Sequence, residues 1–155
     1  IPADIDLAAF GQLPKSGLID DFSKSMANWS SRDGGSFKTY KFQDPELDTA
    51  PGNKLALTLN LQEGQDLLLG LGIDSKFNGH GKDIGNFNHG RKVSGKGPQT
   101  ILLEAKDFNS KGDKPLEWSK ISTFTISLTD AETKQRIQLA TPEGARILKR
   151  IELVK

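Results

Sequence analysis

The chain has no cysteine, one methionine, one tyrosine and only two histidines in 155 residues. Without cysteine there is no disulfide framework and no thiolate metal site. The histidines, His80 and His89, stand nine residues apart in a glycine-rich stretch, a spacing that matches no zinc pattern. No run of about 18 apolar residues occurs, so no segment reads as a membrane-crossing helix. Charge of one sign is lacking too. Lys and Arg number 21 against 20 Asp and Glu, a net charge of +1. Such a chain carries no basic field to hold nucleic acid. Helix-length apolar periodicity is scarce, while 16 glycines and 7 prolines supply many turns. That balance favours an all-β chain.

What is present is alternation. Leu55, Leu57, Leu59 and Leu61 alternate with Ala, Thr and Asn. This is the pattern of a strand with one face on a core. Leu67, Leu69, Leu71 and Ile73 repeat it, with a turn over Gln62–Asp66 between the two strands. Further strands are expected at Leu18–Phe22, within Trp29–Phe42 around an Asp33-Gly34-Gly35 turn, and at Thr100–Ala105. Phe124–Leu128 and Arg136–Leu139 flank a turn containing Asp130–Lys134, and Leu148–Val154 closes the chain. Residues 1–16, with two prolines and scattered apolar groups, read as a lead-in or linker, and residues 17–155 as one domain. Eight or so strands without a sustained helix predict a two-sheet antiparallel β-sandwich of jelly-roll type. The first residue is Ile, so a processed form is expected, with any signal peptide removed.

Asp74–Lys92 stands apart. It holds four glycines, three asparagines, both histidines and two phenylalanines, with almost no aliphatic residues. The composition predicts a long loop, well beyond the usual connection of about four to six residues.

One order of features is specific. Leu18-Ile-Asp-Asp-Phe22 and Trp29 open the domain. Gln99-Thr-Ile-Leu-Leu-Glu-Ala-Lys-Asp-Phe108 leads through a polar loop to Leu116-Glu-Trp-Ser-Lys-Ile121. Phe124-Thr-Ile-Ser-Leu128 and Ile151-Glu-Leu-Val154 follow. Over roughly residues 17 to 155 this resembles the galactose-binding-like jelly-roll carbohydrate-binding modules. Gly70-Leu-Gly-Ile-Asp74, the Asn/Gly stretch, Gly95-Lys-Gly97 and Asp107-Phe108 are similar to the N-terminal modules of agarase-like glycoside hydrolases. The resemblance implies a non-catalytic module that recognises a polysaccharide or oligosaccharide. It implies a covalently attached catalytic domain in the parent chain, and a secreted or periplasmic setting. The modules' opening carboxylates often hold a structural calcium, which makes Asp20 and Asp21 weak calcium candidates. Lys149 stands where the second acidic ligand is expected, so little or no calcium dependence is implied.

Within this reading the expected sugar contacts are Tyr40, Phe77, His80, Asn86, Phe87, Asn88, His89 and Arg91. Aromatic faces stack on sugar rings, and amide, imidazole and guanidinium groups read hydroxyls. Trp29 and Trp118 are expected in the core instead.

Catalytic patterns are weak. Gly79-His-Gly-Lys82 lacks the spacing and following helix of a phosphate loop. Asp44, Glu46 and Asp48 lie in a proline-containing loop, not on the rigid elements that paired-carboxylate glycoside cleavage needs. A small polysaccharide lyase or hydrolase on the same fold, and a protein-interaction or spacer domain, remain the alternatives.

Overall fold

The computed structural model describes residues 16–22, 28–31, 35–62, 65–76, 84–110 and 115–155. Nine strands among them form two antiparallel sheets packed face to face. The strands are β1 (Leu18–Asp20), β2 (Ser36–Thr39), β3 (Lys54–Leu61), β4 (Leu67–Lys76), β5 (Ile84–Val93), β6 (Gly97–Leu103), β7 (Asn109–Ser110), β8 (Ile121–Asp130) and β9 (Leu148–Val154). One sheet has the order β1-β9-β3-β6, the other β2-β8-β4-β5-β7. A short helix, α1 (Pro142–Ile147), leads into β9. Proline stands at its start, and the Thr141 hydroxyl accepts from the Gly144 amide, a standard N-cap.

The predicted leucine ladders build the core. Leu55, Leu57, Leu59 and Leu61 of β3 are buried, as are Leu67, Leu69, Leu71 and Ile73 of β4. Phe124, Ile126 and Leu128 of β8 and Ile151 and Leu153 of β9 join them. Each ladder is the inner half of a period-two strand. Burying one such side chain stabilises the fold by about 1.5–3 kcal/mol.

Both tryptophans are core, as expected. Trp118 is 3% exposed, and its indole N–H donates to the Asn53 carbonyl at 2.7 Å. Trp29 is buried between Phe22 and Phe124, and its indole N–H donates to Asp20 Oδ2 at 2.8 Å. A buried indole N–H needs such an acceptor, and in both cases a fixed one lies in reach.

Several expectations need correction. The largest concerns Asp74–Lys92. Its first residues extend β4 to Lys76, and Ile84–Val93 is the ten-residue strand β5. Strand β5 pairs with β4 in continuous register from Leu67↔Val93 to Lys76↔Ile84, and with β7 on its other side. The backbone groups are satisfied by this pairing, so a polar, glycine-rich segment is held as strand by its neighbours. The first strand stops at Asp20, because Phe22 takes a positive φ of 54° and turns the chain out of the sheet. Thr129 and Arg136 form only an isolated bridge, and no strand spans Arg136–Leu139. Most of the expected lead-in, most of the Asp33–Gly35 turn, and part of the Gln62–Asp66 turn lie outside the described residues.

Two predictions follow from the packing. Trp118→Ala lowers the free energy of unfolding in urea by about 3–5 kcal/mol; an unchanged midpoint would remove Trp118 from the core. The second concerns Asp130, whose Oδ1 accepts from the amides of Glu132 and Thr133. The Thr133 bond, then the Glu132 bond, hold this carboxyl below its ordinary range. The stabilisation is therefore present above the unfolded-state pKa and is lost as pH falls through the lower folded value. Asp130→Ala lowers the Tm at neutral pH, and the gap to the parent protein closes below about pH 4. A gap that widens in acid would contradict this sign.

Candidate functional site

The alternation that puts leucines inside β4 puts Leu68, Gly70, Gly72 and Asp74 on the outer face of the five-stranded sheet. Strand β8 likewise turns Thr123, Thr125, Ser127 and Thr129 outward, opposite its buried Phe124, Ile126 and Leu128. Strand β5 turns out Asn86, Asn88, Gly90 and Lys92.

Register assembles these residues into rows across the sheet. One row runs Lys38, Thr125, Gly72, Asn88, Asn109. The next runs Ser36, Ser127, Gly70, Gly90. On the other side of the first row lie Thr123, Asp74 and Asn86. Thr123 Oγ1 donates to Asp74 Oδ2 at 3.0 Å, which fixes one carboxylate oxygen. The Ser122 hydroxyl donates to the Asp74 carbonyl at 2.8 Å, which anchors the strand beside it. Hydroxyl, amide and carboxylate groups thus surround a floor of three glycines.

Packing calls for glycine at one of the three, Gly70, where a Cβ would come within 2.8 Å of the Ser127 hydroxyl oxygen, but not at the other two. A Cβ placed on Gly72 would come no closer than 3.8 Å to any neighbour, and the nearest atoms belong to Asn88 and Thr125. A Cβ on Gly90 would meet only the Leu69 carbonyl, also at 3.8 Å. Neither residue has a positive φ. At Gly17 and Gly144 the opposite holds, since a Cβ would strike the backbone of Leu153 and of Leu139. Glycine in a strand interior costs about 0.5–1 kcal/mol relative to alanine and marks close approach of a ligand or another backbone. With Asn88 and Thr125 standing on either side, Gly72 is the bottom of a shallow polar trough.

The expected sugar contacts divide between the two faces of β5. Asn86 and Asn88 are exposed in the trough. Phe87, His89 and Arg91 point to the opposite side by the same alternation. Phe87 is 2% exposed and packs in the core, so it offers no face for stacking, contrary to expectation. His89 lies against Phe108 with ring centroids 5.7 Å apart, and its Nδ1 is 3.0 Å from the Asp107 carbonyl. Its Nε2 is buried without a hydrogen-bond partner among the described residues. His89 is thus a packing residue of the β5 edge. Arg91 is exposed but turned away from the trough. Tyr40 follows Thr39 at the end of β2 and is 58% exposed. Phe77 and His80 lie outside the described residues.

The sequence reading missed Lys38, Gly70, Gly72, Thr125 and Ser127. Their signal is legible in hindsight: two adjacent strands whose outward positions, apart from Leu68, are small or polar, with glycine at two of them.

The calcium candidates have other partners. Asp20 accepts from Trp29 through Oδ2 and from the Phe22 amide through Oδ1. Lys149 donates to the Ala145 carbonyl at 3.0 Å. Among the described residues no three His, Asp or Glu side chains converge as a metal site would require.

One end of the sandwich also carries two neighbouring cavities of about 420 and 430 Å³, which share Thr49 and Ser119. The floor of the first includes Trp118, whose ring is sealed into the core and whose N–H is already bound. Its lining also carries the exposed polar residues Lys106, Glu117 and Ser119.

Gly72→Thr separates trough from fold. The substituted protein keeps or raises its Tm, because a β-branched residue suits an open strand position. Its side chain fills the floor. A large fall in Tm would show that Gly72 is required by packing instead. No family model, no curated protein and no solved structure matches the chain, so the face is read from its own chemistry.

Proposed function

We propose that this β-sandwich is a non-catalytic carbohydrate-binding module that takes a polysaccharide chain on the outer face of its five-stranded sheet. The observation that carries the reading is the glycine floor of Gly70, Gly72 and Gly90, bordered by side chains that both donate and accept hydrogen bonds. Sugar hydroxyls need that mixture. Thr125 and Ser127 offer hydroxyls, Asn86 and Asn88 offer amides, and Asp74 offers a carboxylate oriented by Thr123. Tyr40 provides an exposed aromatic surface near the end of β2.

Among the described residues the trough has no histidine on its floor and a single carboxylate, Asp74, where glycoside cleavage uses a pair of acids. Binding without turnover fits it better. Supporting the same reading, the order of motifs resembles accessory modules of agarase-like hydrolases. In that setting the module holds its substrate beside a covalently attached catalytic domain, in a secreted or periplasmic enzyme.

The test is isothermal titration of the protein against a panel of neutral, sulfated and uronate polysaccharides. At least one binds, and Asn88→Ala and Asp74→Ala each weaken that binding by about three- to tenfold without moving the Tm. No binding across the panel, or binding that both variants leave intact, would overturn the assignment.

A further inference from the structure

Charge is distributed unevenly around the trough. Strand β2 forms one rim, and two cations stand on it. Lys38 ends the row that runs through Thr125, Gly72 and Asn88. Arg136 hydrogen-bonds the Ser36 hydroxyl at the end of the adjoining row, and its aliphatic stem lies over Gly35. A Cβ at Gly35 would come within 3.1–3.2 Å of that stem, so this glycine is where the arginine crosses the rim. Ser36 and Lys38 are two residues apart on one strand, which puts the two cation-bearing rows about 7 Å apart.

Neither cation meets a carboxylate among the described residues. The ion pairs found there join Lys41 to Asp44, Lys92 to Asp66, Lys106 to Glu104 and Arg150 to Glu152. On the floor the one acid is Asp74, two strands away from β2 and bonded to Thr123. The β2 rim is therefore electropositive beside a hydroxyl-rich floor whose carboxylate, Asp74, lies two strands away, in a protein whose net charge is only +1. Half-buried Lys38 and exposed Arg136, neither facing a carboxylate among the described residues, match an anionic ligand, and Arg136 offers the planar donor fork suited to sulfate or carboxylate oxygens.

We infer that the trough selects a polysaccharide carrying anionic substituents, sulfate esters or uronate carboxylates, and that Lys38 and Arg136 read those groups while the floor reads hydroxyls. The inference rests on the trough being a glycan site and adds the class of glycan it takes.

The experiment compares agarose oligosaccharides as the neutral ligand, κ-carrageenan oligosaccharides as the sulfated ligand and alginate oligosaccharides as the uronate ligand. Titrations use the parent protein, Lys38→Gln, and Lys38→Gln combined with Arg136→Gln, with melting curves to confirm the fold. An anionic ligand is expected to bind more tightly than agarose, and to weaken by about tenfold or more in the double variant. Its affinity also falls as NaCl is raised from about 50 to 500 mM, because exposed charges are screened. The preferred anionic ligand identifies whether sulfate or carboxylate is read. Lys38→Gln alone gives the same direction of change if the double variant melts early. Tighter binding of agarose, or anionic binding insensitive to both salt and Lys38→Gln, overturns the charge assignment while the glycan reading stands. Failure of all three ligands to bind overturns both.

Discussion

Strand β4 couples the core to the trough through a single geometric constraint. Its residues alternate sides, so the register that buries Leu67, Leu69, Leu71 and Ile73 also turns Gly70, Gly72 and Asp74 outward. A slip of one residue would exchange the two sets, putting glycine and aspartate in the core. Four apolar side chains against the opposite sheet make that slip prohibitive. The neighbours of β4 inherit the arrangement. Strand β8 presents Thr125 and Ser127 beside the glycines, and β5 presents Asn88 and Gly90 on the other side. The most strongly specified part of the core thus aims the trough.

The glycines then distinguish a shaped face from an incidental one. Where the fold needs glycine, as at Gly17 and Gly144, another backbone fills the space a Cβ would occupy. At Gly72 and Gly90 a Cβ would meet its neighbours at 3.8 Å, an ordinary van der Waals distance. Two strands forgo side-chain contacts and β-propensity there with no packing benefit in return. We propose a ligand on the floor as the occupant of this face. We propose a hydroxylated ligand for the polar groups around it, with Lys38 and Arg136, which meet no carboxylate among the described residues, favouring negative charge on that ligand.

Most of the fold was legible in the sequence because its strands are amphipathic. The ladders at Leu55–Leu61 and Leu67–Ile73, the Phe124–Leu128 strand and the closing strand all emerge from period two alone. Trp118 was legible as core from its apolar neighbours, and Trp29 from the large area an aromatic buries. Strand β5 was not. Only Phe87 and Val93 are buried on its inner side, with His89 and Arg91 between them, so its alternation is too faint to outweigh its glycines and asparagines. Pairing with β4 and β7 decides its conformation, and such pairing joins segments distant in sequence. The same error split the site. Asn86 and Asn88 were found by composition, but the alternation of β5 puts Phe87, which composition grouped with them, on the opposite face. Lys38, Thr125 and Ser127 come from strands far along the chain, and only register brings them together.

The central claim is that the glycine floor is occupied by ligand. The most direct measurement is an amide chemical-shift titration of the isotopically labelled protein with whichever oligosaccharide binds. The account predicts the largest shifts at Gly70, Gly72, Gly90, Asn88, Thr125 and Ser127, with little change at Trp118 and Ser119 at the end of the sandwich. Shifts confined to that end, with the amides of the glycine floor unmoved, would contradict it.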